Sequence, residues 1–563
     1  MRGVLSESSL SERKRLGDKL KEGFRLACQA RLISDKALIE IPESSLAISY
    51  KSTDVGFEKP FKPSPLIRKY FLKIPPPSLE DQRPDLSRLS SHQEISRISL
   101  RLLRSLPKTL RECGWEVTLT VRNKEVLDIE CGNRENILYG LAVDVGTSKV
   151  VAHLLDLSSG DTLAVISSPN PQQSFGLDIM SRITHATDNV ENLERLRQDI
   201  ITLINELLLK ASCNAKVKPE NIYEVVVVGN TVMTHLLLGV NPSSLGRAPY
   251  VPVFTQGLEF KSREVGIKAN PEGYVYVAPG IGGFVGGDAL AGALAVELDE
   301  CVEPCVLIDI GTNTEILLNN GREIYSTSAP AGPAFEGFGT KHGMRAVEGA
   351  VSKIFIYLND VLRDYEVRYE VIGGVKPIGI CGSAYIDALA HLYKHGIVDE
   401  RGKFRDLTSR RLKKEEDRFV IVWGSESSTS EDLAIYRKDI ESLLLAKAAV
   451  ASVTQLILMR AGLTPEDVKK VFIAGSFGTS LNIENAATIG LIPSVWIGKT
   501  VFVGNTAISG AKLILKSGKA RRKAEKIARK IKYVEISADK EFTKIYVRNL
   551  FLPTKNRDSI HYT

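Results

Sequence analysis

The feature that most constrains the fold is a strand, a Gly-Thr turn and two further strands, written twice in the chain. In the first copy Leu138-Tyr-Gly-Leu-Ala-Val-Asp-Val145 runs into Gly146-Thr147, then Lys149 to Leu157 reads as a second strand, Ser158-Ser-Gly160 as a turn, and Asp161 to Ser167 as a third. In the second copy Val306-Leu-Ile-Asp-Ile310 runs into Gly311-Thr312, followed by Glu315 to Asn319, the turn Asn320-Gly321, and Glu323 to Thr327. Each copy later carries a long helical pattern and then an apolar strand ending in glycine and a small polar residue. Val190 to Ala211 leads into Val225-Val-Val-Val-Gly-Asn230, and Ile440 to Leu463 leads into Val471-Phe-Ile-Ala-Gly-Ser-Phe-Gly478. Repeats of this size are domains, not solenoid units. They predict two α/β lobes facing each other across a cleft, each pushing a tight turn toward a shared ligand.

In such a turn glycine has no Cβ to block close approach, and the backbone N–H groups form an anion-binding concavity. Gly146, Thr147, Ser148, Gly311, Thr312 and Asn313 are the candidate phosphate-binding residues, with Thr314 as a further hydroxyl donor. Asp144 and Asp309, at the strand ends, suit a hydrated Mg²⁺ and are the candidate catalytic carboxylates. One such loop alone is as often an ordinary hairpin turn. Two copies in duplicated surroundings, with Ala474-Gly-Ser-Phe-Gly478 after the last apolar strand, point to a nucleotide site. The site is not a Walker loop, because the only Gly-Lys-Thr, at Gly498 to Thr500, has Pro493 in place of the first glycine and precedes a strand.

Ahead of the duplicated region, residues 1–44 hold Phe24-Arg-Leu-Ala-Cys-Gln29 and a short strand expected at Ala37-Leu-Ile-Glu-Ile41. Residues 45–95 are rich in proline, with Lys59-Pro-Phe-Lys-Pro-Ser-Pro65 and Ile74-Pro-Pro-Pro-Ser78, and read as a semi-rigid linker crossing a surface. A small unit at 96–136 follows. Its helix from Ile98 to Leu106 is expected to stop at Pro107, before alternating strands Trp115 to Val121 and Glu125 to Ile129. The duplicated region spans 137–552, with lobes near 137–300 and 301–552. Three glycine-rich stretches there are expected along the cleft: Pro279 to Asp288, Ser328 to Gly339, and Gly379 to Ser383.

Composition narrows the class. The 563 residues are 43% hydrophobic and 25% charged, which suits several globular domains, and no stretch reaches about 18 uninterrupted apolar residues. A cytoplasmic protein without a membrane segment is expected. Lys512, Lys516, Lys519, Arg521, Arg522, Lys523, Lys526, Arg529, Lys530 and Lys532 crowd one helical stretch. A solvated basic face is the first reading and a docking patch for an acidic protein the second; nucleic acid is not expected, since no aromatic residue interleaves before Tyr533. Seven cysteines lack C-x-x-C spacing and predict neither a disulfide framework nor a complete metal site.

The motifs together resemble one family. Tyr139-Gly-Leu-Ala-Val-Asp-Val-Gly-Thr147, Phe175-Gly-Leu-Asp-Ile-Met-Ser-Arg-Ile183, Val228-Gly-Asn-Thr-Val-Met-Thr-His-Leu-Leu-Leu-Gly239, Asp309 to Glu315, Ala331-Gly-Pro-Ala-Phe-Glu-Gly337 with Gly343-Met344, and Ala474 to Gly478 are similar to the reductive activators of corrinoid-dependent enzymes. The resemblance implies an α/β fold with a duplicated actin-like, ribonuclease H-like ATPase domain, preceded by a small α+β middle domain and a ferredoxin remnant. It implies ATP and Mg²⁺ as cofactors, with Asp144, Gly146, Thr147, Asp309, Gly311 and Thr312 at phosphate and metal, Gly229 and Asn230 at the nucleotide, and Gly475, Ser476 and Gly478 near the adenosine. The activity implied is ATP-dependent reduction of a Co(II) corrinoid to Co(I) on a partner methyltransferase or corrinoid protein, and a homodimer is implied as well.

Such proteins take the electron from an iron-sulfur cluster in the same chain. Here Cys28 is an orphan: a [2Fe-2S] domain needs C-x₄₋₅-C-x₂-C and a later fourth cysteine, and nothing before Cys28 supplies the other three. Either the start codon is misplaced or the gene broken, or a separate ferredoxin supplies the cluster, or the protein works without one. Two other functions remain open at this point. One is a small-molecule kinase with Asp178 or Asp288 as base; the other is a nucleotide-dependent scaffold that binds corrinoid proteins without electron transfer.

Overall fold

The computed structural model describes residues 61–361, 363–475, 481–537 and 539–553, residues 54 and 56, and short pieces between 5 and 33. Two six-stranded sheets built to one plan form its centre. The first has the order Thr162–Pro169, Lys149–Asp156, Tyr139–Val145, Ile222–Gly229, Tyr274–Val277, Leu258–Lys261. The second has the order Ile531–Tyr533, Ile324–Ala329, Thr314–Asn319, Cys305–Ile310, Lys470–Ala474, Thr500–Gly504. In both, an antiparallel three-stranded meander continues into two parallel strands. The short extra strand lies at opposite ends of the two orders, so the duplicated α/β architecture expected from the motifs is present in strand order as well.

Burial explains the sequence patterns. Every residue of Ile222–Gly229 is buried, which is why its valine run does not alternate: a parallel strand inside a sheet has apolar neighbours on both faces. The helix Val190–Ala215 packs against this first sheet, capped at its start by Asn189, whose side chain accepts from Asn192 N at 2.7 Å. Its counterpart Arg437–Arg460 is the one helix among the described residues long and apolar enough to cross a membrane, and its apolar residues lie in the core of the second lobe. After the last parallel strand of each lobe come Gly287–Ala295 and Thr506–Lys516, which pack against each other through small residues. A Cβ on Gly510 would stand 2.0 Å from Ala291 O. Both helices start at the cleft.

The small unit departs from expectation in three ways. First, its four-stranded sheet has the order Ile67–Lys73, Glu116–Arg122, Glu125–Cys131, Arg97–Ile98, so a strand of the sheet, and the helix Asp85–Ser90, come from the stretch read as linker. Prolines 65 and 75 bracket a proline-free run long enough to pair along its length with Glu116–Arg122. Second, the helix does not stop at Pro107 but spans Leu100–Glu112 with the proline inside. Leu102, Leu106 and Leu110 bury one face, and Pro107 sits on the exposed face, where its ring costs only the hydrogen bond to the carbonyl of exposed Leu103. Third, Cys113 and Cys131 form a disulfide. Their separation carries no motif, but the hairpin places Cys131 opposite Val117 and so brings it back to the end of the helix.

The basic stretch is likewise divided. Lys512, Lys516 and Arg521 are buried, while Lys519, Arg522, Lys526 and Arg529 form one exposed row on the helix Gly518–Lys530. Arg521 pairs with Glu224 and, at 2.6 Å, with Glu259, and its guanidinium lies 3.9 Å over the ring of Tyr276. A solvated face therefore accounts for only part of the run. Cys28, the strand expected at Ala37 to Ile41, Ser476 and Gly478 lie outside the described residues.

Candidate functional site

The cleft is built from the two turns. In the first lobe Val145 pairs with Val150, and in the second Ile310 pairs with Thr314, so the first turn is one residue longer, and Lys149 stands at its end. A Cβ on Gly146 would sit 2.6 Å from Lys149 O, which only glycine avoids. The carbonyls of the first turn are tied back into their own lobe: Asn170 Nδ2 donates to Gly146 O at 2.9 Å, Arg182 Nη2 to Thr147 O at 2.6 Å, and Asn170 N to Ser148 O at 3.1 Å. With its oxygens engaged there, the turn has its N–H groups left for an anion. Burial lowers the Arg182 guanidinium to about 10, and its arginine explains the motif Phe175 to Ile183 at a distance from the turn it braces. The two turns meet, with Ser148 Oγ 3.4 Å from Thr312 Oγ1.

Four acids converge below them, Glu315 buried and the other three half-buried in the cleft wall. Asp144 and Asp309 come from the strand ends, Asp288 from the first turn of Gly287–Ala295, and Glu315 from the strand opposite Asp309. Burial, then the charge of Asp288, raises the Asp144 carboxyl to about 7, although a 3.2 Å hydrogen bond from Asn505 Nδ2 works the other way. The same two causes raise Asp309 to about 7. Burial raises Asp288 to about 6, against hydrogen bonding to its own helix start. Glu315 is pushed well up by burial and by Asp288 and Asp309. Four acids that resist ionising together form a site waiting for positive charge. Among the described residues no group of three or more His, Cys, Asp or Glu is placed to grip an ion directly.

The structure sorts the remaining candidates. Gly146, Thr147, Ser148, Gly311, Thr312, Asn313 and Gly475 line the cleft with the two strand-end aspartates. Gly475 adopts φ +88°, and a Cβ there would fall 2.5 Å from Ile310 O and 2.8 Å from Asp309 Oδ1. Gly229 does not line the cleft; it backs onto Val145 O in the equivalent place of the first lobe, with 2.9 Å left for a Cβ. Asn230 does line it, but its side chain caps Thr231–Leu238 by accepting from Val232 N at 2.9 Å. Thr314 is buried in the sheet instead of facing a ligand. Asp178 caps Ile179–Asp188 on the surface, away from the cleft, which removes one of the two bases named for a kinase. Each glycine-rich stretch sends residues to the cleft: Asp288, then Phe335 and Glu336, then Cys381 to Ser383.

Sequence reasoning passed over several residues. Glu336 Oε1 lies 2.5 Å from Thr312 Oγ1, and its signal was its place in the Ala331 to Gly337 motif. Asn505 follows the last parallel strand, where an N-cap residue begins the next helix. Asp54 and Lys149 also line the cleft, and nothing in the sequence links a residue so far upstream to the turn.

Two duplicated lobes, each delivering a tight turn and a strand-end acid to one cleft, define a nucleotide-binding fold of the actin-like, ASKHA class. Comparison with known proteins narrows this. The model of the RACo C-terminal ASKHA domain matches residues 303–563, the RACo middle region 139–301, and the RACo linker region 57–136. The chain is 31% identical over 540 residues to the corrinoid activation enzyme RamQ of Eubacterium limosum, covering 93% of this chain and 89% of RamQ. It is 26% identical over 442 residues to the [Co(II) methylated amine-specific corrinoid protein] reductase of Methanosarcina barkeri, covering 73% and 77% of the two. The solved reductive activator for corrinoid, iron-sulfur protein superposes with a TM-score of 0.81 at 35% identity, over 100% of this chain and 92% of that one. The chain belongs to the RACo family.

Proposed function

We propose that this protein binds Mg-ATP between its lobes and uses the nucleotide cycle to drive an electron onto the Co(II) corrinoid of a partner corrinoid protein or methyltransferase, yielding Co(I). The observation that carries this is likeness along nearly the whole chain to proteins named for corrinoid activation and Co(II) corrinoid protein reduction. The cleft chemistry agrees with it. Gly146, Thr147, Ser148, Gly311, Thr312 and Asn313 would receive the phosphate chain, and Gly475, with Ser476 and Gly478, the adenosine. Asp144 and Asp309 would hold Mg²⁺ through its water shell, in keeping with a small hard cation that gives up water reluctantly. When bound, the ion supplies charge neutralisation between phosphate oxygens and the cleft acids. Asp288, which lines the same cleft, would orient the attacking water and take its proton.

Co(II) to Co(I) needs one electron, and ATP hydrolysis supplies none. ATP acts instead through conformation: closing the lobes on nucleotide changes the affinity for the partner. The electron comes from an iron-sulfur donor, and a separate ferredoxin acting in trans meets that need. The test mixes the purified chain with Mg-ATP, a low-potential reductant and a Co(II) corrinoid protein, with and without ferredoxin, and follows the cobalt absorption. ATP-dependent appearance of Co(I), lost in Asp144→Ala and Asp309→Ala, is expected. ATP-modulated binding of the partner with no Co(I) under any condition would replace this reading with that of a scaffold.

A further inference from the structure

Lys149 ends the first turn, and its ammonium already has a counter-ion: Nζ donates to Asp54 Oδ1. Asp54 lies 95 residues earlier in the chain, ahead of the small unit. More than one contact fixes it. Ser167 Oγ donates to Asp54 Oδ2 at 2.7 Å, and Asp54 O lies 2.9 Å from His153 Nε2; both partners belong to the meander of the first sheet. Gly56 forms an antiparallel bridge to Gly504, and a Cβ on it would stand 2.0 Å from the carbonyl oxygen of Asn505, whose side chain donates to Asp144. Asp54 and Lys149 both line the cleft, and the charge of Lys149 favours ionised Asp144. One ammonium therefore stands at the edge of an anion-binding turn with a carboxylate holding it. A phosphate chain in that turn is a second and more highly charged anion within the same field.

We propose that Lys149 is a phosphate-contacting residue and Asp54 its displaceable counter-ion, so that nucleotide and the segment carrying Asp54 compete for one ammonium. This rests on the nucleotide reading of the cleft. By linkage, the factor by which bound nucleotide weakens the Asp54 contact equals the factor by which Asp54 weakens nucleotide binding. Occupancy of the cleft is thereby reported to the N-terminal side of the chain, which is held to the first lobe at Asp54.

The experiment is calorimetric titration of Mg-ATP into the full chain, Asp54→Asn, Lys149→Met and the double variant. Asp54→Asn keeps the shape and the Ser167 hydrogen bond but takes the carboxylate charge away from the ammonium, and is expected to tighten binding about five- to tenfold. Lys149→Met is expected to weaken binding, and in that background Asp54→Asn should change nothing further. Unchanged affinity in Asp54→Asn, or tightening that persists without Lys149, overturns the proposal. Limited proteolysis ahead of residue 61 gives a second readout: Mg-ATP should raise cleavage of the wild-type chain, and Asp54→Asn should be cleaved equally with and without nucleotide. Wild-type cleavage indifferent to Mg-ATP, with nucleotide demonstrably bound, also overturns it. A wild-type chain that takes up no nucleotide refutes the cleft reading itself and is told apart because every variant then also binds none.

Discussion

Asp144→Asn should make the nucleotide-free protein more stable at pH 8 while removing its hold on Mg-ATP. The side chain is half-buried in the wall of the cleft, and burial there with the charge of Asp288 moves its carboxyl from 3.8 in the unfolded chain to about 7 in the fold. The folded chain thus keeps a proton that the unfolded chain has lost. Such a group stabilises the fold fully below its unfolded value, and the contribution is gone once the pH has risen through about 7. Each unit of the difference corresponds to about 1.4 kcal/mol, which puts a ceiling of roughly 4 kcal/mol on the cost of ionising Asp144 in place. Relaxation of the cleft and entry of water absorb part of this, leaving about 2 kcal/mol. Asparagine carries no such cost and still accepts the hydrogen bond from Asn505. Its melting temperature, measured without nucleotide or metal, should exceed that of the wild type by ~2 °C at pH 8, by less at pH 5, and match it only below about pH 4. Mg-ATP should raise the wild-type midpoint at pH 8 and leave that of the variant in place. A variant no more stable relative to wild type at pH 8 than at pH 4 would refute the claim that burial and neighbouring charge keep the acids of this cleft from ionising together until a cation arrives.

Gly475→Ala should abolish nucleotide uptake, because a Cβ at φ +88° is strained and presses on Ile310 O and Asp309 Oδ1 together; a calorimetric Mg-ATP titration of the folded variant checks it. Arg521→Ala should cost about 3–5 kcal/mol in urea unfolding by stranding the buried Glu224, while Glu259 keeps Arg122, whereas Arg522→Ala, one residue along on the exposed row, should stay within ~0.5 kcal/mol. Equal effects would contradict the division of the basic stretch into structural and solvated cations. Pro107→Ala should stabilise the small unit by about 1–3 kcal/mol through a restored hydrogen bond to Leu103 O, read as a higher urea midpoint.

The lobes were legible because their evidence is local and repeated. An apolar strand, a glycine turn and a returning strand each leave a mark on neighbouring residues, and the second copy removes the ambiguity of the first. The small unit was harder for the same reason in reverse. Ile67–Lys73 becomes a strand only because Glu116–Arg122 lies far downstream to pair with it, and among so many prolines its own pattern reads as linker. Pro107 is a stop signal by its chemistry, yet its place on the exposed face lets the helix pass through it. In the cleft, Asp144 and Asp309 could be named from the motif. Asn505, Asp54 and the bracing of the first turn by Arg182 depend on chain reversals that no spacing records.

The two turns share a plan but not a charge, and the difference is written in their register. In the first lobe Asp144 faces Val151 across the hairpin, and the turn is lengthened by a lysine. In the second Asp309 faces Glu315, two acids side by side on antiparallel strands, an arrangement that is unfavourable unless something positive is held there. Across one cleft the first turn therefore offers N–H groups and an ammonium, and the second adds a carboxylate pair. A ligand carrying only negative charge would suit the turns and be repelled by the acids below them. A ligand carrying only positive charge would do the reverse. A phosphate chain with a divalent cation meets both demands at once, and under the proposed function drawing the lobes together around it would turn nucleotide binding into a change of shape.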